Sequence, residues 1–353
     1  MNSIKLGKRV IDSNSEPYII AEVGVNHEGS FEQALELINL AKEGGADAVK
    51  FQSYKAETLA SKNSPAYWDT EEEKTTSQFH LFKKYDNFNF DDYESLAKHC
   101  KKIDIDFVST PFDKESVEYL DKLVPYYKIA SADINCIPLL RLVGNKKKPV
   151  IISTGCASID EIKLAKKTLQ DAGAPNVIIL HCILNYPTNI KNANLSMITD
   201  LKQTFADNII GYSDHTHPDE GMITLSTAYL LGAVIIEKHF TNNKKLPGND
   251  HYHSMDINDL KIFRKSSYKI KQLKGSIFTK QPIKEEEKSR TNARRSIFLK
   301  SNLNAGDIIK EEDITFLRPG FGITVDNWDK IVGKKINSDS KSGYMLKWSD
   351  INE

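Results

Sequence analysis

Eight times between Tyr18 and about Lys274, a short run rich in β-branched and aromatic residues gives way to a stretch whose apolar residues recur at helical spacing. Alternation of this kind builds parallel βαβ units, and eight is the number that closes them into a (β/α)8 barrel. The predicted strands are 18–24 (YIIAEVG), 47–52 (DAVKFQ), 106–111 (DFVSTP), 126–131 (YYKIAS), 149–154 (PVIIST), 176–182 (NVIILHC), 208–214 (NIIGYSD) and 233–240 (AVIIEKHF). Predicted helices include Phe31 to Gly44, Ile159 to Ala172 and Met222 to Leu231, several stopping at a glycine suited to a helix C-cap. The second crossover breaks the rhythm. Residues 55–89, polar and rich in aromatics, intervene before the helix resumes at Asp91, and an insertion of this length after a barrel strand is expected to serve as a substrate lid.

Near Lys274 the pattern changes. The stretch KGSIFTKQPIKEEEKSRTNARR is charged and poor in large apolar residues, which predicts a linker over 276–292 between a barrel domain (1–275) and a second module (293–353). That module holds short apolar pieces between turn residues, so it is expected to be small, mainly β and too lightly cored to stand without docking on something larger. A formal net charge of zero gives no reason to expect a nucleic-acid partner, and any anionic ligand must be met by local charge. No stretch approaches the roughly 18 apolar residues of a membrane span, and the N-terminus lacks a signal-peptide core, so a cytoplasmic protein is expected. The four cysteines (Cys100, Cys136, Cys156, Cys182) show no CxxC spacing and are expected to be buried free thiols.

Strand side chains alternate in direction, so residues two apart near a strand's end share the face that points into the barrel mouth. Lys50 and Gln52, Ser213 and His215, and Glu237 and His239 pair in this way, while Glu22, Thr110, Lys128, Ser131, Ser153 and Asn185 lie at or just beyond other strand ends. Polar groups at so many positions would be costly to bury without a ligand. His215 and His239 end neighbouring strands and could share one divalent ion; with oxygen ligands completing the shell, manganese is preferred and magnesium is second. The alternative is two histidines merely hydrogen-bonded in the mouth. His27, His181, His251 and His253 are expected to be loop residues or to stand behind the ligands. Lys50 and Lys128, with the neutral donors Ser131, Ser153, Asn185 and Ser213, suit a small molecule carrying carboxylate and phosphate. Two other readings stay open: both lysines pair with Glu22 and Glu237, or one of them forms a Schiff base.

The segments IAEVGVNHEG (20–29), GADAVKFQ (45–52), STPFD (109–113), YKIAS (127–131), IISTG (151–155), NYPT (185–188), IGYSDHT (210–216) and EKHFT (237–241) resemble, in order and spacing, the sialic acid synthase family. The likeness continues through PGNDHYHSMD (247–256) and into LNAGDIIKEEDITFLRPGFGI (303–323), which resembles an antifreeze-like, or SAF, domain. The resemblance implies an enzyme that condenses phosphoenolpyruvate with an N-acylated hexosamine, such as N-acetylmannosamine or a 2,4-diacetamido relative, and water, giving a nonulosonic acid and phosphate by C–O cleavage. It implies Lys50, Thr110 and Lys128 on the phosphoenolpyruvate carboxylate; Ser131, Ser153, Asn185 and Ser213 on its phosphate; Glu22, Lys50 and Lys128 as catalytic; and Glu22, Gln52, Tyr186 and Asp250 as sugar or metal-water contacts. It further implies a domain-exchanged homodimer in which the SAF module caps the partner's barrel and presents Arg318 to the sugar's N-acyl end. Two departures leave the sugar open: Ser131-Ala132-Asp133 stands where many relatives read SGE, and Arg294-Arg295 replaces apolar residues. Legionaminic or pseudaminic acid synthesis, a Schiff-base aldolase and a non-catalytic glycan binder are the competing functions.

Overall fold

A computed structural model describes residues 3–248, 250–276 and 279–352. The chain divides into two compact units, Met1–Lys274 and Gly275–Glu353. The first begins with an antiparallel hairpin, β1 (Ile4–Leu6) and β2 (Arg9–Ile11). Eight parallel strands follow: β3 (Tyr18–Gly24), β4 (Ala48–Ser53), β5 (Asp106–Pro111), β6 (Tyr127–Ile129), β7 (Val150–Ser153), β8 (Val177–Cys182), β9 (Ile210–Asp214) and β10 (Ile235–His239). Their ladder order is β5-β4-β3-β10-β9-β8-β7-β6, so the first and last barrel strands pair, with His239 opposite Glu22. The ladder ends β5 and β6 stand beside each other, completing a (β/α)8 barrel.

Parity along the strands sorts the core. Ile19, Ala21, Val49, Phe51, Ile152, Ile179 and Ile236 face outward into the layer shared with the helices. Ile20, Ala48, Val108, Tyr126, Ile151, Ile178 and Ile235 form a second cluster with the hairpin's Ile4, Leu6 and Ile11. These residues come from the early part of each strand, so the hairpin plugs that end of the barrel. Two residues further along the same columns stand Glu22, Lys50, Thr110, Lys128, Ser153 and Glu237, each less than a tenth exposed. The inner layer is tight enough to require glycine at 211, where a Cβ would come within 2.4 Å of Leu180 Cδ2 and 2.5 Å of the Ile235 carbonyl.

Local chemistry sets the helix ends. Ser30 accepts a hydrogen bond from Gln33 N at the start of Phe31–Gly44, which stops at Gly45 with φ 91°. Ser158 and Glu161 form a capping box on Ile159–Asp171. The strand predicted at 126–131 is shorter: β6 ends at Ile129 because Ser131–Asp133 turn into a 3-10 segment. The 55–89 insertion folds into the short helices Ala56–Leu59 and Gln78–Tyr85, and Trp68 Nε1 donates to the carbonyls of Thr75 (3.0 Å) and Glu73 (3.3 Å), pinning the loop between them.

The second unit has one short antiparallel pair, β11 (Ser296–Leu299) and β12 (Ile314–Leu317), with single bridges extending the β character. Its core is small: Ile297, Leu299, Leu303, Ile309, Ile314, Ile323, Ile331, Ile336 and Leu346. The stretch predicted as a linker carries a 3-10 turn at Lys284–Glu286 and a helix at Glu287–Ala293, in keeping with its strong helix formers Glu, Lys and Arg. The cysteines are free, as expected, but burial does not hold for all of them: Cys100 and Cys182 are buried, Cys136 is half-buried and Cys156 is exposed. No helix among the described residues is long and apolar enough to cross a membrane.

Candidate active site

The inward columns of β3, β4, β6 and β10 place four charges in one buried cluster. Lys50 Nζ lies 2.5 Å from Glu22 Oε2 and 3.7 Å from Glu237 Oε1, and Lys128 Nζ lies 3.6 Å from the same Glu237 oxygen. Lys50 also donates to Thr110 Oγ1 (3.1 Å), Gln52 Nε2 to Glu22 Oε1 (3.0 Å), and Ser213 Oγ to Glu237 Oε1 (3.3 Å). The lysines therefore do pair with Glu22 and Glu237, one of the arrangements left open by the sequence. Burial pushes the Glu22 carboxyl above the ordinary range, with Lys50 pulling against it, whereas burial at Glu237 is overridden by Lys128 and Lys50 and its carboxyl sits low. Burial holds the Lys128 ammonium below its usual value, and the Glu237 carboxylate offsets only part of this. A charge cluster balanced in this way can exchange a carboxylate partner for an incoming anion without leaving an uncompensated buried ammonium.

Around the cluster, Ser153 Oγ is buried with no hydrogen-bond partner, Ser131 Oγ accepts from Gly155 N (2.9 Å), and Asn185 is exposed on the loop beyond β8. Asp133 is half-buried; desolvation raises its carboxyl to about 6 against the pull of Lys128, and its Oδ2 has no partner. Arg318 is exposed in the second unit, and Arg295 stacks 5.1 Å over Phe316 there.

On the other side of the mouth, His239, Asp250 and His253 form a group whose ligand atoms lie within 4.8 Å of one another. His239 Nδ1 is 3.4 Å from Asp250 Oδ2, and His253 Nε2 is 3.9 Å from Asp250 Oδ1. Both imidazoles are buried, and His239 Nδ1 and both ring nitrogens of His253 lack hydrogen-bond partners. Burial, reinforced by neighbouring histidines, holds both rings well below the usual imidazole range, so they present neutral nitrogen lone pairs. Nitrogen donors with a carboxylate suit a divalent transition metal. His215 stands beside the group, its ring centroid 5.5 Å from that of His239 and 6.2 Å from that of His253; its Nδ1 donates to the Ile183 carbonyl (2.8 Å), which fixes the ring and leaves Nε2 for a ligand. Tyr186 covers it at 4.0 Å. Gly24 lets the parts converge: a Cβ there would lie 3.3 Å from Gln52 Nε2 and Glu22 Oε1 and 3.6 Å from His239 Nδ1.

The strand-end argument passes over His253 because it lies in the 3-10 turn His251–His253 after β10. Its signal is local: Asp250 and His253 are three apart, a spacing that a single turn brings to one side. Behind the histidines, Lys238 Nζ contacts Asp214 Oδ2 (2.5 Å) and the Thr216 carbonyl (2.6 Å), and Asp214 also accepts from Tyr212 OH (2.7 Å), Thr216 N (3.0 Å) and Thr216 Oγ1 (3.0 Å). This buried pair ties the β9 end that carries His215 to the β10 end that carries Glu237 and His239.

Together these features define a barrel enzyme whose polar mouth is suited to an anion and a metal. The NeuB family model matches residues 37–278 and the SAF domain model matches 294–352. The chain belongs to the NeuB family, and it is an enzyme of that type. It is 37% identical over 344 residues to N,N'-diacetyllegionaminic acid synthase of Legionella pneumophila, covering 95% of this chain and 94% of that one. It is 32% identical to N-acetylneuraminate-9-phosphate synthase of Drosophila melanogaster, covering 95% of each. Among solved structures, N-acetylneuraminic acid synthetase of Leptospira borgpetersenii aligns with a TM-score of 0.73 at 34% identity, over 82% of this chain and 95% of that one.

Proposed function

We propose that this enzyme is a nonulosonic acid synthase that joins phosphoenolpyruvate to an N-acylated hexosamine, N-acetylmannosamine or a 2,4-diacetamido relative, with a sialic, legionaminic or pseudaminic type of product. One observation carries the reading: two buried ammonium groups sharing Glu237 lie in the same mouth as the His239–Asp250–His253 group with its neutral imidazoles. Lys50, Thr110 and Lys128 take the phosphoenolpyruvate carboxylate, and Ser131, Ser153, Asn185 and Ser213 its phosphate. Glu22, Gln52, Tyr186 and Asp250 line the acceptor side, and Glu22, its carboxyl raised by burial, is suited to move a proton at the sugar's carbonyl oxygen. His239 and His215, with Asp250 and His253 beside them, would hold the divalent ion, manganese in preference to magnesium, and that ion supplies Lewis-acid polarisation of the aldehyde. In the reaction, C3 of phosphoenolpyruvate bonds to the aldehyde carbon, water adds at C2, and the C2–O bond breaks to release phosphate. The lysines hold the anion in line and balance the charge it brings. The SAF module of a second copy is proposed to cap the mouth and bring Arg318 to the N-acyl end.

The test is phosphate release from phosphoenolpyruvate with manganese and a panel of N-acyl hexosamines, with the product identified by mass. Chelation with EDTA is expected to stop the reaction and manganese to restore it. Activity that survives chelation, together with a borohydride-trapped adduct, would replace this reading with a Schiff-base aldolase.

A further inference from the structure

Three imidazoles and a carboxylate face one another on the His239 side of the mouth, and the family resemblance assigns the metal to only two of them, His215 and His239. His253 is the addition. It is 0% exposed, and neither of its ring nitrogens has a hydrogen-bond partner. Burying an imidazole with both nitrogens idle is costly unless a bound species takes one of them. Its ring centroid lies 4.8 Å from that of His239, and Asp250 reaches both rings, with Oδ2 3.4 Å from His239 Nδ1 and Oδ1 3.9 Å from His253 Nε2. A ring bound in its plane through one nitrogen sets its centroid about 3.2 Å from the ion, so two rings at tetrahedral angles stand about 5.2 Å apart. His239–His253 at 4.8 Å and His215–His239 at 5.5 Å are near that spacing, and His215–His253, at 6.2 Å, has about one ångström to close. His215 can close it by pivoting on its Nδ1 hydrogen bond to the Ile183 carbonyl.

Donor number then separates one metal from another. Four protein donors are the full complement of zinc and make a closed site, whereas manganese takes about six and keeps positions for water and substrate. A further nitrogen also favours zinc, because manganese stands at the weak-binding end of the first-row series and suits oxygen donors. We propose that His253 makes this mouth a zinc-inhibited site: with His215, His239 and Asp250 it completes a closed four-donor shell around zinc, which shuts out the acceptor, while manganese among the same donors keeps open positions. The inference rests on the synthase reading above and adds a regulation of that site by a second metal. Without His253 the shell falls to three protein donors, and zinc there keeps a free position, as in catalytic zinc sites.

The experiment uses the full chain, stripped of metal and reloaded with one ion at a time. Competition against a chromophoric chelator is expected to show zinc bound at least about 100-fold more tightly than manganese, a ratio that His253→Ala reduces about tenfold. In the wild-type chain, which needs no substitution, cobalt as a stand-in for zinc is expected to give the intense visible absorption of a four-coordinate site. Zinc is expected to halt phosphate release by the manganese-loaded wild type, and His253→Ala to raise the zinc concentration needed at least about tenfold. A faint six-coordinate cobalt spectrum, a zinc-to-manganese ratio unchanged by His253→Ala, or undiminished phosphate release from the zinc-loaded wild type would each overturn the proposal, and the last would leave the synthase reading standing. Absence of phosphate release with manganese and every N-acyl hexosamine tried would overturn the synthase reading and, with it, the inhibition.

Discussion

Replacing Asp214 by leucine should be among the most damaging single changes in the barrel. Lys238 is 1% exposed, and its ammonium has two recorded partners, the Asp214 carboxylate and the Thr216 carbonyl. Burial alone would push the Asp214 carboxyl up, but the Lys238 ammonium overrides it and the group sits below its ordinary value, so the carboxylate is charged across the neutral range. Leucine at 214 leaves a buried ammonium without its counter-ion and strips partners from Tyr212 and Thr216. Breaking such a pair from one side costs about 3–5 kcal/mol. At about 2–4 °C per kcal/mol for a domain of this size, the melting temperature should fall by roughly 6–20 °C. Thermal melts followed by circular dichroism measure it. The double variant Asp214→Leu/Lys238→Met removes both charges and should recover most of the loss, because an apolar replacement of a buried pair is often neutral. A single-variant shift below about 3 °C, or a double variant no better than the single, would refute the reasoning.

His239→Ala or His253→Ala should weaken manganese binding at least about 10–100-fold, read by calorimetry, and His215→Ala or His239→Ala should abolish phosphate release with the fold retained; unchanged manganese affinity in both of the first pair would exclude that cluster as the site. Asp133 has a folded-state value of about 6, above the ordinary 3.8, so its burial lowers stability as pH rises from about 4 to 6 and the full penalty applies above that range. Asp133→Asn should therefore stabilise the protein by about 1–3 kcal/mol at pH 8, after discounting for partial exposure, and by almost nothing at pH 4; equal urea midpoint shifts at both pH values would contradict this. Arg318→Ala should raise KM for the sugar more than it lowers kcat, and mixing it with His239→Ala should restore activity if the SAF module serves the partner's site; no complementation would count against exchange.

The barrel was legible because its information is periodic. Columns such as Ile20–Glu22 and Ile235–Glu237–His239 read as apolar below and polar above from spacing alone, and the structure keeps that order. His253 was not legible in this way, since a loop residue acquires its neighbours from tertiary folding rather than from a strand's alternation. The charged stretch before the SAF module gave a linker by composition, yet Glu287–Ala293 is helical: propensity and composition point in different directions there, and propensity prevails locally. Lys238 looked like part of a motif until its outward direction placed it behind the site, holding strand ends together.

The hairpin at the start of the chain also has a kinetic consequence. With Ile4, Leu6 and Ile11 packed against Ile20, Ile151, Ile178 and Ile235, an apolar layer fills the barrel's far end beneath the cluster around Glu22 and Lys50. Traffic is then last in, first out: a molecule seated against Lys50 and Lys128 must arrive before anything that covers it from the His239 side, and what remains there must wait for the outer occupant to leave. Initial-rate and product-inhibition patterns should accordingly be those of a sequential ordered mechanism, with the anion as the leading substrate.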